Sequence, residues 1–141
     1  MSEGVNFALT FRVVLPLFIT YRFVPIELRG GEVATGLIIP ILLVTLLGNF
    51  LEEVLFRGYL QGYLEQKAGF SPLRAAVASG VGFAFGHIFL AVTVTNAGLN
   101  LLLFALYEGV IAGLVRMKYG VIPATLTHGF AIFLLTSGLL G

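Results

Sequence analysis

The chain has 141 residues, of which 58% are hydrophobic and 11% charged, with a mean hydropathy of +1.02 and a formal net charge of +1. That composition excludes an ordinary soluble domain, and a charge near zero with no basic run gives no footing for nucleic acid. Cysteine is absent, which excludes disulfides, a thiol nucleophile and Cys-based metal sites, and all seven acids are glutamate.

The first apolar stretch, residues 5 to 26, is interrupted by Arg12, Pro16 and Arg22. It is expected either to cross the membrane or to lie in the interface as an amphipathic helix. A cleaved signal peptide is not expected, because Glu3 precedes the apolar part and no positive leader is present. Glu27 to Glu32, with Arg29, Gly30 and Gly31, reads as a polar turn. Residues 1–32 are therefore read as a first helix with its turn, and residues 33–141 as the helical core.

The second span begins at Val33 and runs uncharged to Leu51, then meets Glu52 and Glu53 side by side. A charged side chain inside hydrocarbon costs at least a few kcal/mol, so something must offset it. Arg57 lies four residues after Glu53, where a Glu-to-Arg pair forms across one helical turn. Glu52 points about 100° away around the helix and is left as the unpaired acid. The plainer alternative is a helix end at which these charges reach the interface. Against it, the apolar pattern resumes at Val54, Leu55, Phe56, Tyr59, Leu60 and Tyr63, so the helix is expected to continue to about Gln66 with its acids buried.

Lys67 to Pro72 reads as a loop, with Ser71 as cap and Pro72 in the first turn of the next helix. Ala75 to Tyr107 is too long for one crossing, and its break belongs at Thr93 to Gly98, where Thr, Asn and Gly cluster. Arg116, Lys118 and Gly120 are expected to form a short basic turn before a last span with Pro123 in its first turn. The fold expected is all-α, a polytopic membrane bundle of four to five transmembrane helices. Lys67, Arg74, Arg116 and Lys118 share one side, which the positive-inside rule assigns to the cytoplasm.

Helix rise then gives depth. Glu52 lies about 14 residues, roughly 21 Å, from Gln66, and His87 about 15 residues, roughly 22 Å, beyond Pro72. The two are expected to meet at one level, with His128 nearer the cytoplasmic face. A lone helix histidine is usually a hydrogen-bonded packing residue. Here both histidines of the chain fall in spans, alongside a matched carboxylate.

Glu52-Glu53-x-x-x-Arg57, Phe83-x-x-x-His87 and a final-helix His128 together resemble the CPBP family of intramembrane proteases, relatives of CAAX prenyl protease 2. The likeness covers about residues 33 to 141. It implies an intramembrane endopeptidase acting near the C-terminus of a membrane-anchored, CAAX-like protein or peptide. It also implies catalytic roles for Glu52, His87 and His128, with Glu53, Arg57 and Phe83 in support. The chemistry agrees: Glu52 takes a proton from water and returns it to the leaving amine, His87 holds that water, and His128 stabilises the oxyanion. The chain departs from the family at Ile132, four residues after His128, where Asn or Asp is usual and would supply a hydrogen-bond donor. The family also carries a metalloprotease label. Glu52, His87 and His128 would be three zinc ligands, yet no His-Glu-x-x-His helix is present, and a metal-free, glutamate-dependent hydrolysis is favoured. The site is expected to open toward the cytoplasm.

Two features stand outside this set. Glu108 is a further acid within a span, suited either to complement Arg57 or to line a wet cavity. Gly58/Gly62, Gly82/Gly86 and Gly109/Gly113 are small-x-x-x-small pairs that let membrane helices approach. The competing class is non-enzymatic: a family member acting as an immunity or scaffold protein, for which Ile132 is the argument. A small proton-coupled carrier is the weaker rival, since no internal repeat is found.

Overall fold

The computed structural model describes residues 6–7, 10–23, 35–95 and 98–136, and among them every regular element is helical. A π turn, Thr10–Val14, leads into α1, Leu15–Phe23. A 3₁₀ turn, Thr35–Leu37, leads into α2, Ile38–Gln66. Then follow α3, Pro72–Val94, α4, Gly98–Tyr119, and α5, Val121–Thr136. Three of these, α2, α3 and α4, are long and apolar enough to cross a membrane, and α5 is shorter but equally apolar. The protein is an all-α membrane helix bundle, as its composition requires: with no water to pair their backbones, spanning segments satisfy them internally as helices.

The nine-residue α1 is well short of the roughly 20 residues a span needs. Residues 5, 8–9 and 24–26 of the stretch 5–26, and the polar turn Glu27 to Glu32, lie outside the described residues. By contrast α2 has 29 residues, about 43 Å at an α-helical rise, against a hydrocarbon core of roughly 30 Å. It therefore passes through the acid pair without ending there. Within it, Val54–Leu60 is a π segment, closed by the Gln61 N–H bonding to the Phe56 carbonyl.

Helix boundaries follow local chemistry. Ser71 is extended and its side chain accepts from the Arg74 N–H, with Pro72 in the first turn, where a missing N–H costs nothing. Gly98 and Gly120 both have positive φ, at 52° and 86°, and each stands where one helix gives way to the next. The break between α3 and α4 falls within Thr93 to Gly98 as expected, residues 96–97 being outside the described set. One expectation is corrected. Arg116 and Lys118 do not form a turn; α4 continues through both to Tyr119, and Gly120 alone makes the corner. The reason is that Gly120 supplies the left-handed conformation by itself, its N–H closing on the Arg116 carbonyl at 3.0 Å.

The chain divides into two compact units, Glu52–Ala124 and, among the described residues, those up to Leu51 with those from Thr125. In the latter, Gly129 of α5 lies so close to α2 that a Cβ there would stand 2.7 Å from a Leu46 methyl. In the former, α3 and α4 meet backbone to backbone. A Cβ on Gly109 would fall 2.8 Å from the Gly80 carbonyl oxygen, and one on Gly113 would fall 2.9 Å from that of Ala76. The true small-residue seam is thus Ala76/Gly80 against Gly109/Gly113. Gly58 has only an ordinary contact at 3.9 Å, and Gly82 and Gly86 face side chains of α2.

Candidate active site

The second half of α2 repeats a polar residue every four positions: Glu53, Arg57, Gln61 and Glu65. Each is gripped. Glu53 and Arg57 are fully buried and ion-paired, Nε to Oε2, at 3.3 Å. Arg57 Nη2 also donates to the Gly109 carbonyl at 3.1 Å. Gln61 Nε2 donates to the Gly113 carbonyl at 3.3 Å and, at the same distance, to Glu65. Glu65 in turn takes Arg116 Nη1 on both carboxylate oxygens at 2.6 Å. Gly109 and Gly113 make this possible, because a helix without side chains at those positions exposes its carbonyls to a neighbour's long polar groups. Glu108 is buried on α4, one residue before the glycine whose carbonyl Arg57 holds. Arg116, expected in an open turn, is a partner of Glu65. The four-residue spacing was visible in the sequence and is the signal that would have found Gln61 and Glu65.

On α3, one face carries Ser79, Phe83 and His87 at four-residue intervals. Phe83 is buried with its ring under the Arg57 guanidinium, 4.3 Å from the ring centre. The same ring lies 4.4 Å from the His87 imidazole and meets Phe56 edge-on at 5.2 Å. A desolvated cation over an aromatic face is worth about 2 kcal/mol, so Phe83 serves the Glu53–Arg57 pair as well as packing. His87 Nδ1 stands 2.9 Å from the Phe83 carbonyl. A carbonyl only accepts, so Nδ1 carries the hydrogen; in the neutral ring, Nε2 keeps its lone pair. The backbone at His87 has φ −92° and ψ 0°, the bridge conformation in which many active-site residues are found.

Glu52 is half-buried and stands within electrostatic reach of His87, Arg57 and Glu53. The pairing of Glu53 with Arg57 corresponds to the four-residue spacing. His128 belongs to the other unit, where it is buried on α5, and Ile132 follows half-buried one turn later. Among the described residues no three His, Asp or Glu side chains are grouped closely enough to hold a metal ion. Two contributors carried no motif: Ser79, fully buried, whose hydroxyl donates to the Phe56 carbonyl at 2.7 Å, and Phe56 itself.

Ionisable groups held inside membrane helices by dedicated partners define an integral membrane protein with a built polar site. The chain belongs to the type II CAAX prenyl endopeptidase Rce1-like family, whose pattern matches residues 34–134. No curated protein and no solved structure gives a match. The family is one of CAAX-type endopeptidases, and the expected kinship of the sequence with CAAX-processing proteases stands.

Proposed function

We propose that the protein is an intramembrane endopeptidase that cuts a membrane-anchored, CAAX-like protein or peptide near its C-terminus using water activated by Glu52. The observation that supports this reading is the difference between adjacent acids: Glu53 is neutralised by Arg57, while Glu52 is outside that pair and within electrostatic reach of His87. A carboxylate beside an imidazole, away from bulk water, is suited to hold and deprotonate one water molecule.

In this reading the water lies between Glu52 and His87. One of its hydrogens goes to the Glu52 carboxylate and the other bonds to the His87 Nε2 lone pair, which the Phe83 carbonyl leaves available. Both contacts raise electron density on the water oxygen as it attacks the scissile carbonyl. Glu52 then holds the proton and passes it to the departing amine, so that a C–O bond forms, the C–N bond breaks and the carboxyl returns to its starting charge. His128 is assigned to the oxyanion of the tetrahedral intermediate. The Glu53–Arg57–Phe83 stack fixes the ring and the helix that carry these groups. No step is routed through a metal. The site is proposed to open on the side of Lys67, Arg74 and Lys118, taken as cytoplasmic by their charge.

Ile132 favours one alternative, a non-catalytic relative that keeps the fold as a membrane immunity or scaffold protein. The two readings part in a single assay. Purified protein in liposomes is given membrane-anchored peptides ending in CAAX-like sequences, in water enriched in ¹⁸O, and the products are read by mass. The enzyme should release a fragment whose new carboxylate carries solvent oxygen, with no label entering Glu52. No cleavage of any anchored peptide by folded protein would favour the scaffold, and label in Glu52 would replace water activation by an acyl-enzyme.

A further inference from the structure

Ser79 has no part in the chemistry just described, yet it is fully buried and its hydroxyl is committed to a single acceptor, the Phe56 carbonyl, at 2.7 Å. That carbonyl is also the one that takes the Gln61 N–H, five residues on, and so closes the π segment Val54–Leu60. The oxygen that defines the π register of α2 is therefore held from α3 as well. π-Helical stretches are rare, and one of seven residues needs support from outside its own backbone. Arg57 and Gln61 supply some of it by reaching the Gly109 and Gly113 carbonyls of α4. Ser79 reaches the π backbone itself from α3, two turns before His87 on the same face.

The register matters because Glu52 stands just before the π segment and His87 stands on the helix that holds it. Relaxation of the segment to α-helical bonding would shift each hydrogen bond by one residue, and one residue is about 100° of rotation. Glu52 would then turn about the helix axis relative to Arg57, Gln61 and their partners. The contact of Phe56 with Phe83, edge-on at 5.2 Å, ties the same turn of α2 to the ring that packs on His87.

We infer that Ser79 is a positioning residue for the hydrolysis: its hydroxyl holds the π register of residues 54–60 and thereby sets how Glu52 meets His87. This rests on the reading of Glu52 as the base. Ser79→Thr and Ser79→Val add nearly the same shape and differ in the hydroxyl, so their shared packing cost cancels in comparison. With rates normalised to folded protein, Ser79→Val and Ser79→Ala should lower kcat by about tenfold to 10²-fold, the range expected when reacting groups are misplaced by about 1 Å, with KM unchanged. Ser79→Thr should stay close to wild type.

A second measurement does not need activity. The chain has no cysteine, so spin labels placed by Tyr59→Cys and Phe85→Cys, both exposed positions, report the distance from the π segment to α3. The distance distribution should move in Ser79→Val or Ser79→Ala and hold in Ser79→Thr. Equal kcat and equal distances across Thr, Val and Ala would overturn the inference. If Thr and Val both fail to fold, the Ser79→Ala distances against wild type decide it, an unmoved distribution counting against it. An inactive wild type, or Glu52→Gln as fast as wild type, removes the Glu52 reading instead, and the label distances still decide whether Ser79 holds the register.

Discussion

Two carboxylates one position apart meet opposite surroundings on the same helix. Glu53 is buried against Arg57, which is itself held by Phe83 and the Gly109 carbonyl, whereas Glu52 is only half-buried and takes no part in that pair. Removing the Glu53 charge strands a buried guanidinium, so Glu53→Gln should lower stability by roughly 3–5 kcal/mol, read as a loss of folded protein on heating or denaturant titration. Its effect on rate should follow from that loss of structure. An equally stable Glu53→Gln protein would show that the pair is not what fastens this part of α2. Ile132 poses a different question. It follows His128 by one turn, and an aliphatic group donates no hydrogen bond, where loss of one oxyanion donor costs about 10²- to 10³-fold in rate. In an active protease Ile132→Asn should raise turnover several-fold, and the gain should vanish when Glu52→Gln is added. Mere destabilisation, with no gain in rate, would favour the non-catalytic relative.

At the scale of elements, the glycines separate by what they touch. Gly109→Ala should push α3 and α4 apart, because its Cβ would meet the Gly80 carbonyl oxygen at 2.8 Å, and overpacking of this kind costs about 1–3 kcal/mol. Gly48→Ala meets nothing within 4 Å and should be neutral or mildly stabilising. Comparing the two variants by thermal unfolding checks the seam; equal stability would refute it. This seam also marks the limit of what the sequence discloses. Local patterns gave the Ser71–Pro72 start of α3, the break before Gly98 and the Glu53–Arg57 pair, since each rests on neighbours within one turn. The partnering of Gly109 and Gly113 with Ala76 and Gly80 is a property of two helices at once, and no spacing within one of them names the other. The π segment was illegible for a related reason. Val54–Leu60 reads as an ordinary apolar helix, and its register is held by Ser79 of α3 and by the Gly109 and Gly113 carbonyls of α4. Arg116 looks like a loop charge in the sequence because its partner Glu65 is 51 residues away.

For the molecule as a whole, the Glu65–Arg116 pair brings the end of α2 and the end of α4 to the same side, and the charge rule assigns that side to the cytoplasm. Single cysteines from Phe70→Cys and Lys118→Cys, both exposed, should resist an impermeant reagent applied outside intact cells and react after lysis. Labelling of both from outside would invert the orientation, and labelling of one alone would contradict the Glu65–Arg116 contact. On the proposed reading the whole bundle serves to hold Glu52 as the base of an intramembrane hydrolysis. The most direct test is the single-turnover rate of Glu52→Gln in liposomes, on a peptide that the wild-type protein cleaves, with folding verified by elution and helix content. The rate should fall by about 10²- to 10⁴-fold in a protein that remains folded; full turnover by folded Glu52→Gln would rule Glu52 out as the base.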